Sequence, residues 1–400
     1  MTESKAPGGV SDIGDELIDR VRRVRERLHQ QPELSGQEHR TAELLRDELE
    51  RLEPDGLRTG VGGCGLVAWF GPAGGGRTVA LRAEMDALPL EERTGLAWSS
   101  RTPGRMHACG HDGHMALALG LAAWSRAHRD RLPGRLKLVF QPAEEEGGGA
   151  RQMVAEGALR EPVVDVILGV HARPQLAAGQ IELTEIPSAA ADGFDIHLSG
   201  RAAHGAYPHQ GRDAVVAASQ LVAALQQVVA RQVSPASQVV VTVGALHAGQ
   251  ARNVIADQAL LQGTLRSRDP QLRQQVIASV ERITARTAEA LGCSARFVLQ
   301  PGYPRVHNDA ALLELVERLG RRVLGPRQVL RATEATMGAD DFSFYLSEQG
   351  GVPGCMIRLG VETEAALHTA EFDFGQRAIG PGLRLLAACC LELMAEGGAE

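Results

Sequence analysis

Groups that could hold a metal ion are concentrated between Arg105 and His114, where Arg-Met-His-Ala-Cys-Gly-His-Asp-Gly-His sets three histidines, a cysteine and an aspartate in one short run. Cys109 and His111 are separated by a single glycine, so an extended or looped backbone turns both side chains to one side. From Met115 to Trp124 the chain is apolar and reads as a buried helix. The pair is therefore expected just before a helix N-terminus, where free N–H groups and the helix dipole favour a thiolate over a thiol. Taken alone, the stretch is equally a glycine-histidine loop with one buried cysteine, and a metal needs further ligands.

Strand ends supply the candidates. The apolar run Arg77 to Arg82 leads into Glu84 and Asp86, which places both acids at the carboxyl end of a strand, the edge at which open α/β sheets bind ligands. A second strand, Arg135 to Phe140, exits into Gln141-Pro-Ala-Glu-Glu-Glu146. Consecutive side chains leaving a strand point in opposite directions, so one of Glu144 and Glu145 could bind metal while the other faces a substrate water. That division suits metal-assisted hydrolysis. An acidic solvated turn is the plainer reading of the same residues. Val163 to His171 reads as a central parallel strand with a histidine at its carboxyl end; a lone histidine there is commonly a satisfied core residue.

The elements that must position these groups fall into two domains, as 400 residues suggest. Asp15 to Leu52 has helical spacing with a break at residues 31–36, and Gly60 to Phe70 reads as a strand. From about Pro187 the pattern becomes β-α-β-β-α-β, which predicts a ferredoxin-like α+β unit inserted into an α/β domain. The expected boundaries are a first catalytic part at 1–186, the insert at 187–300 and a second catalytic part at 301–400.

A 44% hydrophobic fraction with 23% charged residues describes a soluble globular chain, and a formal net charge of −7 without a basic run argues against a nucleic-acid partner. Met1 to Asp15 lacks the features of a signal peptide, and apolar runs such as Val163 to Val170 are too short for a membrane span. Six cysteines, two of them adjacent at Cys389 and Cys390, argue against a disulfide framework and for a reducing cytoplasm.

Several motifs in one order then carry a resemblance. Arg82-Ala-Glu-Met-Asp-Ala-Leu-Pro89, Met106 to His114, Phe140 to Glu145, Gly169-Val-His171, Gly200-Arg-Ala-Ala-His204 with Pro208-His209, Asn253-Val-Ile255, Gly263-Thr-Leu-Arg266 and Leu367-His368 follow one another as in the N-acyl-amino-acid amidohydrolases. That branch of the aminoacylase and carboxypeptidase metallohydrolases includes hippurate and auxin-conjugate hydrolases, and the likeness runs from about residue 20 to 380. The resemblance implies that Cys109, His111, Glu145, His171 and His368 bind two divalent ions, with manganese, zinc, cobalt and nickel all admitted by S, N and O donors. It implies Glu144 as general base and Asp86 as an orienting carboxylate. It also implies that the insert serves as lid and dimerisation domain of a homodimer or higher homo-oligomer. There His204 reaches a partner's active site and could donate to the oxyanion, while Asn253 and Arg266 hold the substrate's carboxylate.

Two departures stand out: Glu84 and Asp340 each occupy a position where the family usually has the other acid. The customary proline after His368 is also missing, the sequence being Thr369-Ala-Glu-Phe372. Two other classes fit the residues less completely. One is a hydrolase with Cys109 as nucleophile, which leaves the helper acids unexplained. The other is a non-catalytic metal-binding protein on the same fold.

Overall fold

The computed structural model describes residues 13–332, 336–346 and 350–396, so most of the Met1 to Asp15 segment lies outside the described residues. In chain order the elements are α1 (Asp15–His29), α2 (His39–Glu50), β1 (Gly56–Val61), β2 (Gly65–Phe70), β3 (Thr78–Glu84), α3 (His111–Ala127), β4 (Arg135–Gln141), α4 (Gly149–Ala155), β5 (Val166–Arg173) and β6 (Ile181–Leu183). There follow β7 (Ala190–Ser199), β8 (Ala203–His204), α5 (Ala214–Gln232), β9 (Val239–Ala248), β10 (Val254–Ile255), β11 (Gln258–Ser267), α6 (Pro270–Ala290) and β12 (Ser294–Tyr303). Last come α7 (Ala310–Val323), β13 (Val329–Arg331), α8 (Ser343–Leu346), β14 (Gly354–Gly360) and α9 (Ile379–Ala395).

By contact density the chain divides into two units: residues up to Pro187 with His307–Thr333 and Asp341–Glu400, and Ser188–Val306 with Glu334–Asp340. In the first, eight strands form one mixed sheet in the order β1-β2-β4-β3-β5-β14-β6-β13. Its centre, β4-β3-β5-β14, is parallel, and β3, β14 and most of β4 and β5 are buried, as strands covered on both faces must be. Helices α1, α3 and α9 pack on one another, and their apolar residues join the strands in one core. The stretch expected as one strand over 60–70 is a hairpin instead. Gly62 and Gly63 adopt φ of 67° and 95° there, a left-handed turn that reverses the chain between β1 and β2.

The second unit pairs its strands antiparallel in the order β12-β7-β11-β9, the split β-α-β-β-α-β arrangement. Strand β7 alternates, with Phe194, Ile196 and Leu198 buried in a core shared with Leu221, Leu225 and Val228 of α5 and Val276 and Val280 of α6. Asp213 and Asp269 cap these two helices by accepting from Val215 and Val216 N and from Gln271 and Leu272 N.

Among the described residues, two helical stretches, α5 and residues 376–395, are long and apolar enough by composition alone to cross a membrane. The larger part of the second is buried in the first unit's core, and α5 turns one face to its own sheet, as core helices do.

Candidate metal centre

Strand ends and one helix start deliver the cluster. β3 ends at Glu84 with Asp86 two residues on, β4 ends at Gln141 just before Glu144 and Glu145, and His171 lies near the end of β5. His111 is the first residue of α3, and Gly110, in the N-cap position with φ 89°, turns the chain so that Cys109 and His111 flank a left-handed residue. His368 also has positive φ, 62°, and its N–H donates to Ala108 O at 2.9 Å, which ties the far end of the chain to the Cys109 loop.

Side-chain atoms of Cys109, His111 and His171 lie within 4.8 Å of one another, as do those of Cys109, Glu145 and His368 and those of His111, Glu144 and Glu145. Bond lengths of about 2.3 Å to sulfur and about 2.0–2.1 Å to imidazole, at a tetrahedral angle, separate S and N by about 3.5 Å. Cys109 Sγ is 3.6 Å from His171 Nε2, and His368 Nε2 is 3.2 Å from Glu145 Oε1. All five expected ligands are thus brought together.

Unpaired atoms are the test of fit. His111 Nε2 is buried without a hydrogen-bond partner, and the buried Glu145 Oε1 faces the His368 ring, itself an expected ligand, at 3.2 Å. A buried polar atom without a partner calls for a ligand. The other His111 nitrogen, Nδ1, donates to Asp86 O at 2.8 Å, which leaves Nε2 with a lone pair for a cation. His171 likewise directs Nδ1 to Ala172 O at 3.0 Å and Nε2 towards Cys109 Sγ at 3.6 Å. His114 is a core histidine with both nitrogens satisfied within the protein: Nδ1 faces Glu84 Oε2 at 2.9 Å, and Nε2 accepts from Ala172 N at 3.0 Å. It supports the site and offers no free atom.

Asp86 is buried, and its Oδ2 accepts from Ser35 Oγ at 2.7 Å and from Glu145 N at 2.9 Å. Burial would raise its pKa, but His111, Ser35 and the Glu145 N–H outweigh burial and lower it. Glu145 is also held ionised: burial opposes this, and His368 and His111 overcome it. Cys109 goes the other way. Burial, with Glu145 and Glu144 nearby, pushes its thiol well above the usual value, against the opposing pull of His111. A thiol so placed is a poor nucleophile, and a bound cation would supply positive charge that favours the thiolate.

Several supporting residues carried no separable sequence signal. Arg82, fully buried, pairs with Glu84 and donates to Gln141 Oε1 and Asp341 Oδ1, each at 2.8 Å. Asp112 lies between Arg25 Nε at 2.7 Å and His29 Nδ1 at 2.9 Å, so α1 grips the first turn of α3. Both Glu84 oxygens are used, by Arg82 and His114. Asp340 is buried.

Within the second unit, β8 and β10 set His204 opposite Val254, and Gly205 N donates to Asn253 O at 2.7 Å. His204 and Asn253 are exposed. Arg266, on β11, gives one Nη1 bond to Met337 O at 2.9 Å.

The chain matches the model of the peptidase family M20/M25/M40 over residues 80–392. It belongs to this family. Among its relatives, an N-acetyl-L-cysteine deacetylase of Bacillus subtilis is 35% identical over 384 residues, covering 95% of this chain and 88% of that one. An IAA-amino acid hydrolase of Arabidopsis thaliana is 34% identical, covering 98% and 92%. The crystal structure of the Bacillus subtilis YXEP protein, described as a dinuclear metal binding peptidase of family M20, superposes with a TM-score of 0.84 at 32% identity, over 95% of this chain and 99% of that one. The amidohydrolase resemblance and the hydrolase class are thereby shown, and a two-metal centre agrees with the residues gathered here.

Proposed function

We propose that this M20-family chain hydrolyses the amide bond of N-acyl amino acids, releasing a carboxylic acid and a free amino acid. The observation that carries the reading is the convergence of Cys109, His111, Glu145, His171 and His368 around the buried, unpartnered His111 Nε2, with Glu144 beside them. These five residues would hold two divalent ions, of manganese, zinc, cobalt or nickel type. When bound, such ions lower the pKa of water and polarise a carbonyl.

Glu144 takes the proton from the attacking water and returns it to the departing amine. Asp86 fixes the His111 ring and the Glu145 backbone, so the ligands are pre-oriented. His204 donates to the developing oxyanion, from a second copy of the chain in a homodimer. Asn253 and Arg266 bind the carboxylate of the amino-acid half, and a guanidinium suits that task through its paired donors. The relatives named for N-acetylcysteine and indole-acetyl conjugates support this substrate class. We place the protein in a reducing cytoplasm, because all six cysteines are free thiols.

A panel of N-acyl amino acids with added Mn2+, Zn2+, Co2+ or Ni2+ tests the reading. Glu144→Gln should lower kcat by about 10²–10⁴-fold while metal content is unchanged. Full activity in that variant, or in chelator-stripped enzyme, refutes it.

A further inference from the structure

Three of the five expected ligands come from two loops far apart in the chain: Cys109 and His111 at the start of α3, and His368 near the C-terminus. Of the five, His368 alone is exposed, so side-chain packing does little to aim it and the path of its loop must. One bond joins that loop to the other, from His368 N to Ala108 O at 2.9 Å. A single point of attachment leaves the angle between two loops free.

The second attachment lies at the first turn of α3. Phe374 is buried and occupies the space that a side chain on Gly113 would need, a Cβ there falling 2.4 Å from the ring. Beside it stands Arg25 of α1, fully buried, with its guanidinium carbon 5.9 Å from the centre of the Phe374 ring. Arg25 Nε donates to Oδ2 of Asp112, the neighbour of His111, at 2.7 Å, and Arg25 Nη2 donates to Oδ1 of Asp373 in the His368 loop. One guanidinium thus bonds a carboxylate from each ligand loop. Buried ion pairs are a weak source of stability, since apolar side chains of similar volume often do as well, and their best-attested use is to fix a register.

We propose that Arg25 is a positioning residue of the metal centre: by joining Asp112 to Asp373 it sets how the His368 loop lies against the loop of Cys109 and His111. The proposal rests on the reading of these residues as ligands of two ions.

Co2+ titration of the full-length protein in competition with a chelator, followed by the visible absorption of bound cobalt and by metal analysis, reads the affinity for each ion. Asp373→Ala leaves Arg25 its bond to Asp112. It should weaken the ion held with His368 by about 10- to 100-fold, the usual loss for a partner that orients a metal ligand, while the ion held by Cys109, His111 and His171 keeps its affinity. Asp373→Asn retains an acceptor for Arg25 and should bind closer to wild type. Arg25→Lys keeps the charge but has no planar fork to span two carboxylates, and should lose at least as much as Asp373→Ala. As a control, Leu221→Ala in the second unit's core should lower the melting temperature of metal-free protein and leave both affinities unchanged. Wild-type affinity for both ions in Asp373→Ala and Arg25→Lys, or equal weakening of both ions in Asp373→Ala, overturns the proposal. Uptake of fewer than two ions by unaltered protein overturns the two-ion reading beneath it, a failure visible before any substitution is made.

Discussion

Gly110→Ala is the substitution whose cost is most directly worked out from the structure. Gly110 has φ 89°, and a Cβ there would lie 3.0 Å from Ala172 Cβ and 3.1 Å from the Phe374 ring. Left-handed backbone costs an L-residue about 1–2 kcal/mol. Overpacking against two buried neighbours adds about 1–3 kcal/mol, for a total of about 2–5 kcal/mol. A companion variant separates the two parts: Gly95 has φ 68° with nothing within 4 Å of a Cβ, so Gly95→Ala carries the backbone cost alone. In calorimetric melts of metal-free protein the Gly110 variant should lose several degrees more than the Gly95 variant. Because Cys109 and His111 flank Gly110, competition with a chelator should also show weaker metal binding in Gly110→Ala and unchanged binding in Gly95→Ala. Equal melting shifts with equal metal affinities would refute the argument that this glycine sets the ligand pair.

Two further predictions concern charge. Burial alone lowers the His29 pKa, but Asp112 and Glu92 raise it to about 9. A raised histidine stabilises the fold fully below its unfolded value of about 6.5, and that contribution, about 3 kcal/mol, is lost as pH climbs towards 9. Melting temperature should fall between those pH values in wild type and stay flatter in His29→Gln; parallel profiles would rule this out. Arg266→Met should lower kcat/KM for N-acyl amino acids by roughly 10- to 100-fold, the worth of a charged hydrogen bond, with little change for a substrate whose carboxylate is amidated. An equal loss on both substrates would show that Arg266 acts on the fold and not on the carboxylate.

Candidate ligands were legible by residue type and strand-end position, but only the family resemblance selected five of them as a set and added His368. Cys109-Gly-His111, Glu144-Glu145 and the histidine of β5 announce themselves by type and place. Their supports do not. Arg25 and Asp112 are 87 positions apart and look like two surface charges on two helices, yet both are fully buried against each other. Nothing in local spacing says that the guanidinium will leave water. The hairpin at residues 62–64 is hidden in the sequence for a different reason: two glycines in a row fit a strand border and a tight reversal equally well, and only the pairing of β1 with β2 decides.

By itself the sequence determined the class of chemistry, the succession of strands and helices, and the β-α-β-β-α-β insert, because side-chain type and hydrophobic period are properties of short stretches. Tertiary structure alone decided which nitrogen of His111 is left for a cation, that His114 has none to spare, and that the Cys109 thiol is pushed up rather than down. Hydrogen-bond direction and burial belong to atoms brought together from distant positions, and no local pattern encodes them.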